Sequence, residues 1–134
     1  MRIWTSRLLI GLVTAWNLQA AFAFIFTPSG FVRAYELSGI PGEAAIRGFG
    51  LLFLMWNLPY LLALVDPVRY RLALTLSLLM QLTGLSGETY IYFTLPAGHD
   101  LLGSSILRFI VFDAVGLVLL TVAWIAGKDK KRVA

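Results

Sequence analysis

Ser77-Leu78-Leu79-Met80-Gln81-Leu82-Thr83-Gly84-Leu85-Ser86-Gly87-Glu88-Thr89-Tyr90-Ile91-Tyr92 is too polar for the long apolar run that contains it. At helical spacing Ser77, Gln81, Gly84, Glu88 and Tyr92 share one stripe, while the opposite surface is Leu, Met and Ile. Lipid cannot take such a stripe, because an ionisable group in hydrocarbon costs several kcal/mol unless it is paired or wet. The stripe must face protein or a small aqueous cavity, with the other helices arranged to cover it. That requirement decides the fold: a bundle, with this helix turned inside out.

Working outward, the 134 residues are 59% hydrophobic and 13% charged, about half the charge of an average soluble domain. Mean hydropathy is +0.82. Four apolar runs of membrane-spanning length follow, over residues 8–26, 46–65, 72–95 and 106–126. They predict an all-α integral membrane protein: one domain of four transmembrane helices over residues 1–134. Arg2, Arg7 and Ala21-Phe22-Ala23 give the first run some of the look of a secretory leader, but it stays apolar past the would-be cut.

Thr27 to Ala45 is the longest connection, and Pro28, Gly30, Gly39, Pro41 and Gly42 make it turn repeatedly. Phe31, Tyr35 and Leu37 between those breakers suit a short helix lying in the interface, or an ordered loop. Asn57 and Pro59 interrupt the second run, where proline removes one backbone bond and bends a helix. Arg2, Arg7, Arg69, Arg71, Lys128, Lys130, Lys131 and Arg132 fall on one side of the four-span layout. Arg33, Arg47 and Arg108 fall on the other, which puts both termini in the cytoplasm of a cell whose inner membrane the chain crosses. These charges form no stripe interleaved with aromatics, so nucleic acid is not an expected partner. The absence of cysteine excludes disulfides and thiolate metal sites.

Glu88 and Asp113 each stand seven residues from the outer end of their runs, which places both roughly 10 Å below the interface. Two such acids repel when both are ionised, so one is expected to keep its proton. Arg108 is five residues from Asp113, on a different face, and is expected to pair with Glu88 or a first-loop acid. With Gln81, Asn57, Asn17 and Tyr92 these residues form the candidate site. One reading makes it a mutually satisfied cluster that fixes helix register; the other makes it a pocket for a cation, an amine or a lipophilic molecule. Asn17 and Asn57 sit in matching Trp-Asn-Leu triplets and could pair across helices. Trp16 and Trp56 serve as packing, or as walls for a flat apolar ligand, and Trp4 and Trp124 as an interfacial belt. His99 reads as a solvated loop residue without the partners that zinc or haem requires, and no cofactor is implied. Ser104-Ser105 reads as a helix N-cap.

Thr27-Pro28-Ser29-Gly30-Phe31 after the first span, then Arg47-Gly48-Phe49-Gly50-Leu51-Leu52 entering the second, resembles the first half of small bacterial membrane proteins of the DoxX-like kind. The resemblance implies a compact four-helix bundle that serves as a partner or subunit in redox or quinone-linked membrane systems. It carries no catalytic motif onto this chain. The outer acids also resemble those of emopamil-binding-type sterol proteins, although no acid stands in the first span here. Three functions remain in view: a non-catalytic accessory or assembly subunit, a pocket for a lipophilic or cationic ligand, and an enzyme using Glu88 or Asp113 as general acid or base. The first is the leading expectation, and catalysis the weakest.

Overall fold

A computed structural model describes residues 2–127, and the described residues are helical with no strand among them. Helix α1 is Arg2–Phe26, and α2 is the single turn Ser29–Val32, continued by a 3-10 turn over Arg33–Tyr35. Helix α3 is Gly39–Trp56, α4 is Leu58–Val65, α5 is Arg71–Thr94 and α6 is Asp100–Ala126. The basic residues Lys128, Lys130, Lys131 and Arg132 lie outside the described residues.

The expected starts of α3 and α6 move. α3 starts at Gly39 instead of residue 46, because Pro41 falls in its first turn, where a missing N–H breaks no bond. Gly39 itself has φ +61°, a conformation that costs only glycine nothing. α6 starts at Asp100, six residues early, so Ser104 and Ser105 are interior helical residues and not N-caps. The break between α3 and α4 falls at Asn57, the first residue of the expected Asn57–Pro59 interruption.

α1, the α3–α4 pair over Gly39–Val65, and α6 are each long and apolar enough to cross a membrane. α5 has the length, 24 residues, but not the composition, because the polar stripe dilutes it. Its orientation shows how that stripe is accommodated. Ser77 and Gln81 are 0% and 2% exposed, while Leu72, Tyr90 and Phe93 are 73%, 71% and 79% exposed. Large apolar side chains are exposed along every long helix, far beyond what a water-soluble surface carries. The chain has the build of a membrane protein.

Four of the helices make a ring: α1 against α4, α4 against α5, α5 against α6, and α6 back against α1. Ile10, Tyr60, Ala63, Leu74, Leu120 and Ala123 fill it, at the end where α1 begins and α6 finishes. Two arginines tie off helix ends there. Arg7 donates to the Val65 carbonyl that closes α4, and Arg71 donates to the Trp124 carbonyl at 2.9 Å in the last turn of α6. The Arg71 guanidinium also lies 4.2 Å from the Trp124 ring centroid. Both cations meet helix C-terminal carbonyls, where the backbone dipole favours positive charge.

α3 departs from the ring at Asn57 and packs chiefly on α1, where Gly50 lets the two backbones close. A β-carbon on Gly50 would stand 2.8 Å from the Ala21 carbonyl oxygen and 3.0 Å from the Ile25 nitrogen. The far half of the bundle is therefore more open than the near half.

Candidate functional site

The polar stripe of α5 resolves into a hydrogen-bonded chain. The Trp56 indole N–H donates to the Tyr60 hydroxyl at 3.2 Å, and that hydroxyl donates to Oε1 of Gln81 at 2.6 Å. Nε2 of Gln81 then donates to Oδ1 of Asp113 at 2.8 Å. Every donor points the same way and the carboxylate ends the chain, an order in which each bond polarises the next. Space for it comes from two glycines. A β-carbon on Gly84 would stand 2.5 Å from Oδ2 of Asp113, and one on Gly116 would stand 2.6 Å from Nε2 of Gln81.

These contacts set the level of Asp113 opposite Gln81 and Gly84. Glu88 is one turn, about 6 Å, further along α5. The two acids do not share one depth, because α6 begins six residues earlier than its apolar run suggests. Oε2 of Glu88 is buried with no hydrogen-bond partner among the described residues.

Arg108 is where the outcome differs most from the sequence-based expectation. The ion pairs among the described residues are Glu36–His99 and Glu43–Arg47, so Arg108 pairs with neither Glu88 nor a first-loop acid. It faces the α1 side of α6 instead, lining a cavity of about 270 Å³. Val13, Trp16, Asn17, Ala20 and Phe24 supply the α1 wall, one helical stripe in which Ala20 leaves the hollow. Phe109, Phe112 and Asp113 accompany Arg108 on α6, and Phe53 closes the α3 side. The walls are ring faces: Trp16 meets Phe112 edge-on at 4.6 Å, and Phe53 stacks on Phe109 at 5.6 Å.

The connection between α1 and α3 roofs this cavity with Phe31 and Tyr35. Three contacts fasten the roof to α6. Ser105 donates to the Ala34 carbonyl at 2.6 Å, the Leu102 N–H donates to Glu36 at 3.2 Å, and His99 bonds the same carboxylate. Glu36 thus caps the start of α6 from another segment, and His99 is a clamp residue, not a solvated bystander. The hydrogen bond from His99, with the Leu102 N–H adding to it, holds the Glu36 carboxyl below its ordinary range. Burial pushes the Tyr35 phenol up; the charge of Glu88 adds to that and the charge of Arg108 opposes it, so Tyr35 lies within reach of both.

With its top roofed, the cavity opens sideways. Trp16 and Phe112 are 39% and 38% exposed, and Gln19 and Arg108 are exposed with them, all along the α1–α6 seam.

The seven candidate residues therefore divide. Asp113, Arg108 and Asn17 line the cavity; Gln81 stands behind Asp113, and Glu88 is one turn away on α5. Tyr92 packs near Gly103, away from the cavity. Asn57 is fully buried at the helix break, where Nδ2 donates to the Phe53 carbonyl at 2.7 Å and Oδ1 has no partner among the described residues. No hydrogen bond joins Asn17 and Asn57 among the described residues, so the expected pair does not form. Sequence reasoning passed over Phe24, Phe31, Tyr35, Phe53, Phe109 and Phe112 as lining residues. The set Arg108-Phe109-Phe112-Asp113 was the available signal: Phe112 and Phe109 fall between Arg108 and Asp113 around the helix, so the two charges can border one hollow from different faces. Among the described residues no group of three or more His, Cys, Asp or Glu could hold a metal. No protein-family model, curated protein or solved structure matches this chain.

Proposed function

We propose that this chain is a multi-pass protein of the inner membrane, with four spans and both ends cytoplasmic, that holds a small lipophilic molecule between α1 and α6. The carrying observation is the cavity beside an arginine with no ion-pair partner among the described residues. Binding sites for small molecules are mostly apolar and aromatic, with a few convergent polar groups, and this lining has that make-up. A mouth in the α1–α6 seam suits a ligand arriving from the lipid. α5 serves as the fourth span, its polar face covered by α4 and α6.

A second reading, an accessory subunit of a membrane complex, is favoured by the Trp56–Tyr60–Gln81–Asp113 chain, which spends most of the polar stripe on internal bonds. The DoxX-like resemblance points the same way, to a partner in redox-linked membrane systems.

Gentle extraction from native membranes followed by native mass spectrometry tests the first reading. A bound molecule of a few hundred daltons is expected on the wild type and is expected to disappear in Ala20→Trp, which fills the hollow. Protein that carries only partner chains, and is identical in both forms, overturns it in favour of the subunit reading.

A further inference from the structure

The cavity's polar groups differ in how much bonding capacity they have left, and that difference selects a ligand. Asp113 is largely spent: Oδ1 takes the Gln81 amide at 2.8 Å, and Oδ2 lies against the Gly84 backbone, where even a β-carbon would stand 2.5 Å away. Arg108 is not spent. It makes no ion pair within 4.0 Å and no hydrogen bond among the described residues, although it stands eight residues into α6. That is roughly 12 Å along the helix from its start. A guanidinium carries five donors and its charge is permanent, so at this depth it calls for an anionic or strongly accepting group. Glu88 is on the α5 side of the bundle and makes no ion pair with Arg108.

The rest of the cavity defines the body. Its walls are Trp16, Phe24, Phe53, Phe109 and Phe112, presenting edges and faces to one another at 4.6–6.4 Å. A cavity near 150 Å³ holds one benzene ring, so about 270 Å³ holds two fused rings or one ring with a short arm. Flat aromatic bodies gain from edge and offset contacts that a flexible chain does not make.

We propose that the ligand is a small aromatic acid of one or two rings, with its anionic group on Arg108 and its rings among the phenylalanines. This rests on the cavity being a ligand site and names the chemical class that site takes.

The test uses full-length protein in nanodiscs of zwitterionic phosphatidylcholine, titrated calorimetrically against empty discs to remove partitioning. The probes are 2-naphthoate, 2-naphthamide, 2-naphthylmethylammonium and decanoate. The expected order has naphthoate at least tenfold tighter than the amide and than decanoate, with the ammonium weakest. In Arg108→Gln the naphthoate advantage collapses to that of the amide, while the amide's own affinity is unchanged; Arg108→Lys restores part of it. The wild-type probe order alone decides the class if Arg108→Gln folds poorly. Equal binding of acid and amide overturns the anionic head, the ammonium binding tightest overturns it in favour of Asp113, and decanoate matching naphthoate overturns the aromatic body. Binding of none of the four sinks the pocket itself, which separates that failure from a wrong choice of class.

Discussion

Gln81 donates to Asp113 at 2.8 Å while its own carbonyl takes the Tyr60 hydroxyl at 2.6 Å, so one amide joins α4, α5 and α6 in the middle of the bundle. Helices in lipid gain little from apolar packing alone, since lipid tails are as apolar as leucine. A polar junction that is shared by three helices fixes which faces meet. Gly84 and Gly116 keep the junction close, since side chains at either would push the partners apart.

Replacing Gln81 with Leu leaves Oδ1 of Asp113 without its side-chain partner, while the Tyr60 hydroxyl keeps the Ser77 carbonyl at 3.1 Å as an acceptor. An orphaned group costs about 1–3 kcal/mol in a protein interior, although hydrogen bonds measured inside membranes average below 1 kcal/mol. Gln81→Leu is expected to lose about 1–3 kcal/mol in detergent unfolding. Tyr60→Phe is expected to lose about 1 kcal/mol, and the double variant less than the sum, because both act on one chain. Strict additivity would show the chain is not coupled.

Three glycines allow a graded comparison. At Gly50 the obstacle to a β-carbon is α1 backbone, which cannot step aside, so Gly50→Ala is expected to cost about 1–3 kcal/mol as overpacking. At Gly84 the obstacle is the end of one side chain, and the cost is expected to be smaller. At Gly87 nothing lies within 4 Å, and alanine is expected to be neutral or to stabilise by up to about 1 kcal/mol through helix propensity. Thermal unfolding of the three variants checks the order.

The roof over the cavity responds to acid. The Glu36 carboxyl is held below its ordinary range by His99 first, then by the Leu102 N–H. A depressed carboxyl contributes its stability above the unfolded-state pKa, near 4.5, and loses it as pH falls through the lower folded value. The clamp is therefore expected to stay closed down to about pH 4.5 and to release below it. Hydrogen exchange at Leu102 reads this directly: protection should fall in acid for the wild type, and should be low at neutral pH in Glu36→Ala. Unchanged protection at pH 3 would contradict the capping role.

How much of this was legible beforehand depends on the kind of signal. The inward polar face of α5 was, because burial of Gln81 follows from solvation cost alone and needs no knowledge of its neighbours. The break at Asn57 was, from proline chemistry. The depth of Asp113 was not: apolar runs mark where lipid begins, whereas α6 extends six residues beyond its run, to Asp100. The cavity was not legible either. A hollow is a mismatch between helix positions, set by α3 leaning on α1 beyond Asn57, and no single segment encodes it. Arg108 was picked out as chemistry and given the wrong partner, since only its facing direction separates α5 from α1.

Arg71 separates two roles that basic residues share at a membrane face. It was counted above among the charges that set orientation, yet its guanidinium also bonds the Trp124 carbonyl at 2.9 Å and lies 4.2 Å from that ring. Lysine keeps the charge but lacks the planar fork that can bond and stack together. Arg71→Lys is therefore expected to leave the orientation of a C-terminal reporter fusion unchanged while lowering stability by about 1 kcal/mol, the scale of a partly desolvated cation–ring contact. Arg71→Gln is expected to cost more, since the favourable charge at the end of α6 goes as well. Equal stability of all three proteins would reduce Arg71 to its charge count, and an inverted reporter in the lysine variant would contradict the separation outright.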